Sequence, residues 1–342
     1  MKILVTGGSG YFGSLLVKKL IQDGHQCRIL DLNPPNDKHQ DVQFIKGDIR
    51  SLETVNAACE GMDIIHHNVA QVPLAKDVHL FDSVNRQGTQ NLLEAALNAK
   101  AKKLVYTSSS AVFGVPPQNP VNHNTPLAPR EAYGKAKLQG ENLCQSYIQR
   151  GLDVSIIRPR TIMGHGRLGI FQILFEWIRT GKNIPVLGSG ANKYQFIHAE
   201  DLADACIKAG ERAGPQVYNC GAKEFHSMRD VLSHLIHYAG SDSKIKSVPM
   251  GLATFGMTLT SKLGLSPLAD YHALMYGRSM YFDTRKIEED LRWKPQYSNN
   301  QMFEESFDWY VKNRHDLLNN EHASHHQRPV KQGILRVFSW VF

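Results

Sequence analysis

The tightest constraint on this 342-residue chain lies at its very start. Ile3-Leu4-Val5 is a short apolar run. Glycines follow at 7, 8, 10 and 13, and then Leu15, Leu16, Leu20 and Ile21 recur at helical spacing. A strand that turns through glycine directly into a helix reaches its next strand by a crossover, which implies a parallel sheet. The rest of the first half agrees. Strands are expected at Cys27–Leu30, Val42–Ile45, Met62–Ile65, Leu104–Tyr106 and Val154–Ile157, and helices at Leu52–Ala58, Val84–Asn98 and Ala132–Arg150. Such alternation predicts an α/β fold, a doubly wound parallel sheet covered on both faces.

After Arg158-Pro159 the rhythm changes. A helix is expected over Ile170–Arg179, a short strand at Gln195–Ile197, an Ala-rich helix from Asp201 and a strand at Val217–Asn219. From Pro249 to Tyr281 the chain is rich in Met, Leu, Phe and Gly. We divide it into a first domain over 1–163 with a returning segment near 192–221, a smaller domain over 164–191 and 222–314, and a flexible tail over 315–342.

Apolar residues at 42% and charged residues at 21% suit a chain with a sizeable core. The net charge of +7 is partly a property of the tail, with Lys312, Arg314, Arg328, Lys331 and Arg336 against Asp316 and Glu321. No basic stripe interleaves with aromatics, so nucleic acid is not an expected partner. The five scattered cysteines fit a reducing, cytoplasm-like compartment. Met1-Lys2 runs straight into the first strand, leaving no room for a signal peptide, and no stretch has the length of a membrane span.

The glycine turn at Thr6–Gly13 has the spacing that cradles a pyrophosphate: one glycine for the reversal, one for close backbone approach, one for helix-on-strand packing. The helix that follows offers unpaired N–H groups and a positive dipole end. Asp31 closes the second strand, where a carboxylate accepts from ribose hydroxyls and repels a 2′-phosphate, so NAD is favoured over NADP. Arg28 is expected to point elsewhere. Tyr133 and Lys137 are one helical turn apart and share a face. An ammonium beside a phenol, with an oxidised nicotinamide, favours the phenolate and suits general acid–base work. Thr107-Ser108-Ser109-Ser110 follows an apolar strand at the sheet's ligand-binding end, where a hydroxyl can hold a substrate oxygen.

Together with Gly47-Asp48-Ile49, His67 to Ala70, Asn85 with Gly88-Thr89, and Val112-Phe113-Gly114, these motifs resemble the extended short-chain dehydrogenase/reductase superfamily, nearest its NAD-dependent epimerase/dehydratase members. The resemblance spans about residues 1–312 and implies a Rossmann NAD-binding domain with a smaller C-terminal substrate-binding domain. It implies catalysis by Tyr133, Lys137 and Ser109, with Ser110 as the fallback for the serine. It implies cofactor contacts from Gly7, Gly10, Tyr11, Phe12, Gly13, Asp31, Asp48, Ile49, Val69, Ala70, Asn85, Tyr133, Lys137 and Pro159. Asp48 and Ile49 would lie by the adenine. No metal is implied, and a homodimer through the helices near Val84–Asn98 and Ala132–Arg150 is.

Two departures bear on the substrate. Nucleotide-sugar members carry an Asn shortly after Arg-Pro, where this chain has Arg160-Thr161-Ile162-Met163. They also carry an Arg before the Phe-Ile-His segment, where it has Asn192-Lys193-Tyr194-Gln195. The apolar stretch with Met250, Leu252, Phe255, Met257 and Leu259 is similar to bacterial 3β-hydroxysteroid dehydrogenase-like proteins. A hydrophobic secondary alcohol or ketone is therefore favoured, with a nucleotide-sugar epimerase or dehydratase, or a catalytically silent NAD-binding regulator, as alternatives. An apolar small-domain core is the other reading of those five residues. Residues 330–342 form an amphipathic segment suited to peripheral membrane contact or to packing on protein.

Overall fold

The computed structural model describes residues 1–37, 40–70, 81–167, 171–249, 251 and 277–319. Strands β1 (Lys2–Thr6), β2 (Gln26–Asp31), β3 (Val42–Lys46), β4 (Ile64–His67), β5 (Lys103–Thr107), β6 (Val154–Pro159) and β10 (Gln216–Cys220) form one sheet. Its order is β10-β6-β5-β4-β1-β2-β3, with every pairing parallel. Because β1 lies between β2 and β4, the crossovers leave it in opposite directions and open a crevice beyond its C-terminal end.

Both faces are covered, as continuous apolar strands require. Helices α1 (Tyr11–Gln22) and α6 (Ala199–Glu211) bury Phe12, Leu16, Leu20, Leu202 and Cys206 on one face. On the other lie α2 (Leu52–Cys59), α3 (Thr89–Asn98) and α4 (Ala132–Gln149), with Val55, Leu92, Leu93, Cys144 and Tyr147. A further core gathers α5 (Phe171–Arg179), α7 (Met228–Tyr238) and α9 (Asn299–Asn319) around an aromatic set that includes Phe175, Phe196 and Phe303. Two small parallel sheets accompany it, β7 (Thr161–Met163) with β9 (Phe196–His198) and β8 (Ile184–Leu187) with β11 (Ile245–Val248). The short α8 (Arg285–Leu291) sends Ile287 and Leu291 back to the first core.

Three boundaries differ from expectation for physical reasons. Strand β4 starts at Ile64 rather than Met62, because Gly61 is at φ +70° and Met62 still donates to Cys59 in the turn leaving α2. The helix expected from Val84 begins as a π-helical segment, Phe81–Gly88, before α3. Helix α9 runs on to Asn319, so residues 315–319 extend the helix rather than opening the tail. Two histidines stay inside the sheet. His67 is bonded at both ring nitrogens, to Thr6 (2.8 Å) and Thr89 (3.0 Å). His66 faces the other side, against Gly210 of α6.

Met250, Leu252, Phe255, Met257 and Leu259, and the amphipathic segment 330–342, lie outside the described residues. Among the described residues no helix is long and apolar enough to cross a membrane.

Candidate active site

The crevice is built first by glycine. Gly7 takes φ +70°, and a Cβ on it would press on the backbone of Val69. A Cβ on Gly13 would collide with the Gly7 carbonyl oxygen, so the first turn of α1 sits directly on the strand end. Gly10 caps α1 without a side chain, leaving the N–H groups of that first turn, at Tyr11 and Phe12, to a ligand. Asp31 accepts from the backbone N–H of Ser9 and of Asn33, both at 3.1 Å, which holds its carboxylate beside the glycine turn. Val69, two residues beyond β4, lies against Gly7. This cradle fits NAD: it offers backbone donors, an acid for a ribose, and no room for a side chain at Gly13. Arg28 does point away, donating to the carbonyls that end α2.

Other expected contacts are placed less directly. Asp48 is held below the usual carboxylate range by Arg50, 2.6 Å away. Ile49 is buried beneath Gly88 in the core. Asn85 is buried, its carbonyl accepting from Thr89 Oγ1 at 2.7 Å. Pro159 is buried at the end of β6, in register with Cys220.

The catalytic candidates come together at the start of α4. Glu131 caps it, accepting from the N–H groups of Tyr133 (2.7 Å) and Gly134 (2.6 Å). Gly134 lets the helix press against the Ala111 carbonyl, so Tyr133 meets the serine turn. The three serines there have separate partners. Ser108 donates to Glu141 (2.5 Å), Ser110 accepts from Arg160 (2.8 Å), and Ser109 accepts from the Ala111 N–H (3.2 Å). Lys137 is buried one turn on, its Nζ donating to the Thr107 carbonyl (2.7 Å) above the Tyr106 ring.

Tyr133 and Lys137 lie one turn apart at the start of α4. Burial pushes Tyr133 up from its ordinary value, and the opposing influences are the Ser109 hydrogen bond and the charge of Arg167. Burial also pushes Lys137 down to about 8, with Glu141 resisting. In the protein alone, burial thus opposes the charged form of each.

Sequence reasoning missed three residues. Glu141 lies two turns after Tyr133 on the same helix face and forms a buried pair with Arg158 (2.5 Å), a spacing that could have signalled it. Arg160 and Arg167 follow β6 with no local signal. One further cluster gathers His165, His198 and Glu305, with potential ligand atoms within 4.8 Å of one another. His198 Nδ1 accepts from the Glu200 N–H as the cap of α6, so its Nε2 carries the proton, 3.2 Å from Glu305. A metal needs that nitrogen's lone pair, with the other nitrogen donating, and the cap opposes this.

Comparison with known proteins decides the family. The NAD dependent epimerase/dehydratase family model matches residues 3–221. The chain belongs to that family. It is an NAD-dependent enzyme of the extended short-chain dehydrogenase/reductase superfamily. It is 51% identical over 338 residues to an uncharacterized protein, y4nG, of Sinorhizobium fredii, covering 98% of this chain and 85% of that one. It is 33% identical to a UDP-glucose 4-epimerase of Mycolicibacterium smegmatis, over 68% of this chain and 80% of the relative. A 3 beta-hydroxysteroid dehydrogenase/Delta 5→4-isomerase of Mycobacterium tuberculosis is 26% identical over 96% of both chains. Among solved structures, dTDP-glucose 4,6-dehydratase of Streptomyces venezuelae with NAD and TYD bound superimposes with a TM-score of 0.74. It is 26% identical, over 92% of this chain and 98% of that one.

Proposed function

We propose that this epimerase/dehydratase family member interconverts a secondary alcohol and a ketone on a hydrophobic, 3β-hydroxysteroid-like substrate. The observation that carries the chemistry is the placement of Tyr133 at the start of α4, where Gly134 packs on the Ala111 carbonyl of the serine turn, with Lys137 buried one turn on. Bound NAD supplies the hydride acceptor and, when oxidised, a positive charge. Ser109 donates to the substrate oxygen and holds it against Tyr133. Tyr133 takes the carbinol proton in oxidation and returns it in reduction. Lys137, fixed on the Thr107 carbonyl, keeps a cation beneath the phenol as it ionises. Gly7, Gly10, Tyr11, Phe12 and Gly13 would hold the pyrophosphate and Asp31 the adenosine ribose.

The substrate class is supported by what fills the two departing positions. Thr161 is bonded to the Tyr194 hydroxyl at 2.9 Å. The Gln195 side chain is bonded at both ends, donating to the Ala222 carbonyl (2.5 Å) and accepting from the Phe282 N–H (2.9 Å). These polar groups are occupied internally, which leaves less for a diphosphate-linked sugar. The similarity to UDP-glucose 4-epimerase favours the second reading, an epimerase that returns NAD unchanged. We further propose the two-domain division with a boundary near residue 163, and a homodimer through α3 and α4.

The test is Tyr133→Phe, assayed with NADH and a panel of steroid and simpler ketones, and with UDP-glucose for epimerisation. Turnover should fall by about 10²–10⁴-fold while NAD affinity stays within about twofold. A variant with full turnover refutes the assignment; turnover confined to UDP-glucose selects the epimerase.

A further inference from the structure

Two arginines grip the serine turn from either side. The Arg160 N–H donates to the Cys220 carbonyl (2.9 Å), so the pairing of β6 with β10 runs on past Pro159. Arg158 and Arg160, two residues apart in extended chain, therefore leave the same face. Both meet the 3₁₀ turn Ser110–Phe113 that follows β5. Arg158 lies over the Phe113 ring, 5.1 Å from its centre, and pairs with Glu141, which accepts from Ser108. Arg160 donates from Nη1 to the Ser110 hydroxyl (2.8 Å) and from Nε to the Gln195 carbonyl (3.2 Å). Ser109 thus stands between two anchored neighbours. Its oxygen accepts from the Ala111 N–H as the cap of the turn, which uses a lone pair and leaves the hydroxyl proton to donate.

Only one arm of this grip is neutralised. Arg158 has Glu141, whereas Arg160 is buried with no carboxylate partner among the described residues, and its Nη2 has no partner at all. The ring faces of Tyr194, 4.5 Å away, and Phe282, 5.7 Å away, offer it only partial negative charge. Arg167 also lacks a carboxylate among the described residues, but it lies 5.6 Å from the centre of the Tyr11 ring, away from this turn. A buried cation without an acid is costly to desolvate, and an apolar side chain would fill the same space at less cost. Chains carry such departures where function uses the group. What the guanidinium adds is a rigid fork whose donors reach two separate segments at once. One of them is already fixed: the Gln195 side chain is bonded to the Ala222 carbonyl and the Phe282 N–H.

We propose that Arg160 is a positioning residue for the serine turn: anchored on the Gln195 carbonyl, it fixes Ser110 and through it the hydroxyl of Ser109. This rests on the reading that Ser109 holds the substrate oxygen against Tyr133. Arg160 acts through Ser110 and makes no contact of its own with the reacting atoms. A misplacement of about 1 Å at such a donor can cost about 100-fold in rate, which is the scale of effect that one lost anchor produces.

The experiment compares Arg160→Met, Arg160→Lys, Ser110→Ala and the double variant Arg160→Met/Ser110→Ala, all saturated with NAD. The first readout is amide hydrogen exchange at Ala111, Val112 and Gly114, whose N–H groups are bonded within the turn. Exchange there should quicken at least about tenfold in Arg160→Met and in Ser110→Ala, no further in the double variant, with β1 and β5 unchanged. The second readout is turnover of UDP-glucose and of the ketone panel. In Arg160→Met, kcat should fall about 10–100-fold, with KM within about threefold and NAD affinity within about twofold. Arg160→Lys, which keeps one donor, should recover part of the loss. Unchanged exchange in the turn, losses that add in the double variant, or a loss confined to KM each overturn the proposal. If Arg160→Met does not fold, Arg160→Lys with and without Ser110→Ala carries the same comparison. A wild type that turns over none of these probes removes the catalytic reading, while the exchange result still decides this one.

Discussion

The crevice has two walls of similar build and opposite electrostatics. The turn Thr6–Gly13 and the loop Gly164–Arg167 both rely on glycines at positive φ, Gly7 on one side and Gly164 and Gly166 on the other. On the first wall the ligand-facing groups are backbone N–H donors, and the acid, Asp31, is held by two of the chain's own N–H groups. On the second wall and behind it, two guanidiniums lack any carboxylate among the described residues. Backbone donors tolerate an empty site because water satisfies them, whereas a desolvated cation is balanced only by a counter-charge. The first wall is complete in backbone donors, whereas the charges of the second are unbalanced among the described residues.

The largest effect expected from breaking this contrast is on the complete wall. Gly13→Ala drives a methyl into the Gly7 carbonyl, so NAD affinity should fall more than about 100-fold, with a stability loss of about 1–3 kcal/mol. Calorimetric titration with NAD checks this; near-native affinity would mean that the cradle is looser than its geometry. Next, Glu141→Ala turns Arg158 into a third unpaired guanidinium. Breaking that buried pair should cost about 3–5 kcal/mol in denaturant unfolding. A loss under about 1 kcal/mol would show that unpaired cations are cheap here, and the contrast between the walls would lose its meaning.

The smallest effect separates the walls by pH. Burial pushes His66 and His67 down to about 3, and His198, under the second wall, to about 4. Unfolded histidine titrates near about 6.5, so between these limits the unfolded chain binds more protons. Stability is therefore present above about pH 6.5 and is lost as pH falls below it, by about 1 kcal/mol per histidine between about pH 7 and 5.5. Melting curves over that range, compared with His67→Gln and His198→Asn, test the assignment. An unchanged slope in both variants would remove these histidines as the cause.

Much of the fold was legible because its signals are local. Ile3 to Val5, the glycines after them, and Leu15, Leu16, Leu20 and Ile21 each declare their own conformation, and the alternation that follows leaves few topologies. Strand β4 lies two residues later than expected, because the turn at Gly61 still holds Met62 while Thr6 and Thr89 satisfy His67 inside the sheet.

By itself the sequence determined that the chain is a parallel α/β protein with a dinucleotide turn at residues 6–13, and that Tyr133 and Lys137 share a helix face. Those properties follow from spacing along one segment, where strand and helix periods place side chains without help from the rest of the chain. Only the tertiary structure decided the separate partners of three adjacent serines, that Lys137 is buried on the Thr107 carbonyl, and that Arg160 and Arg167 have no carboxylate partner among the described residues. Each of these depends on desolvation and on partners brought from distant segments, and no local pattern encodes either.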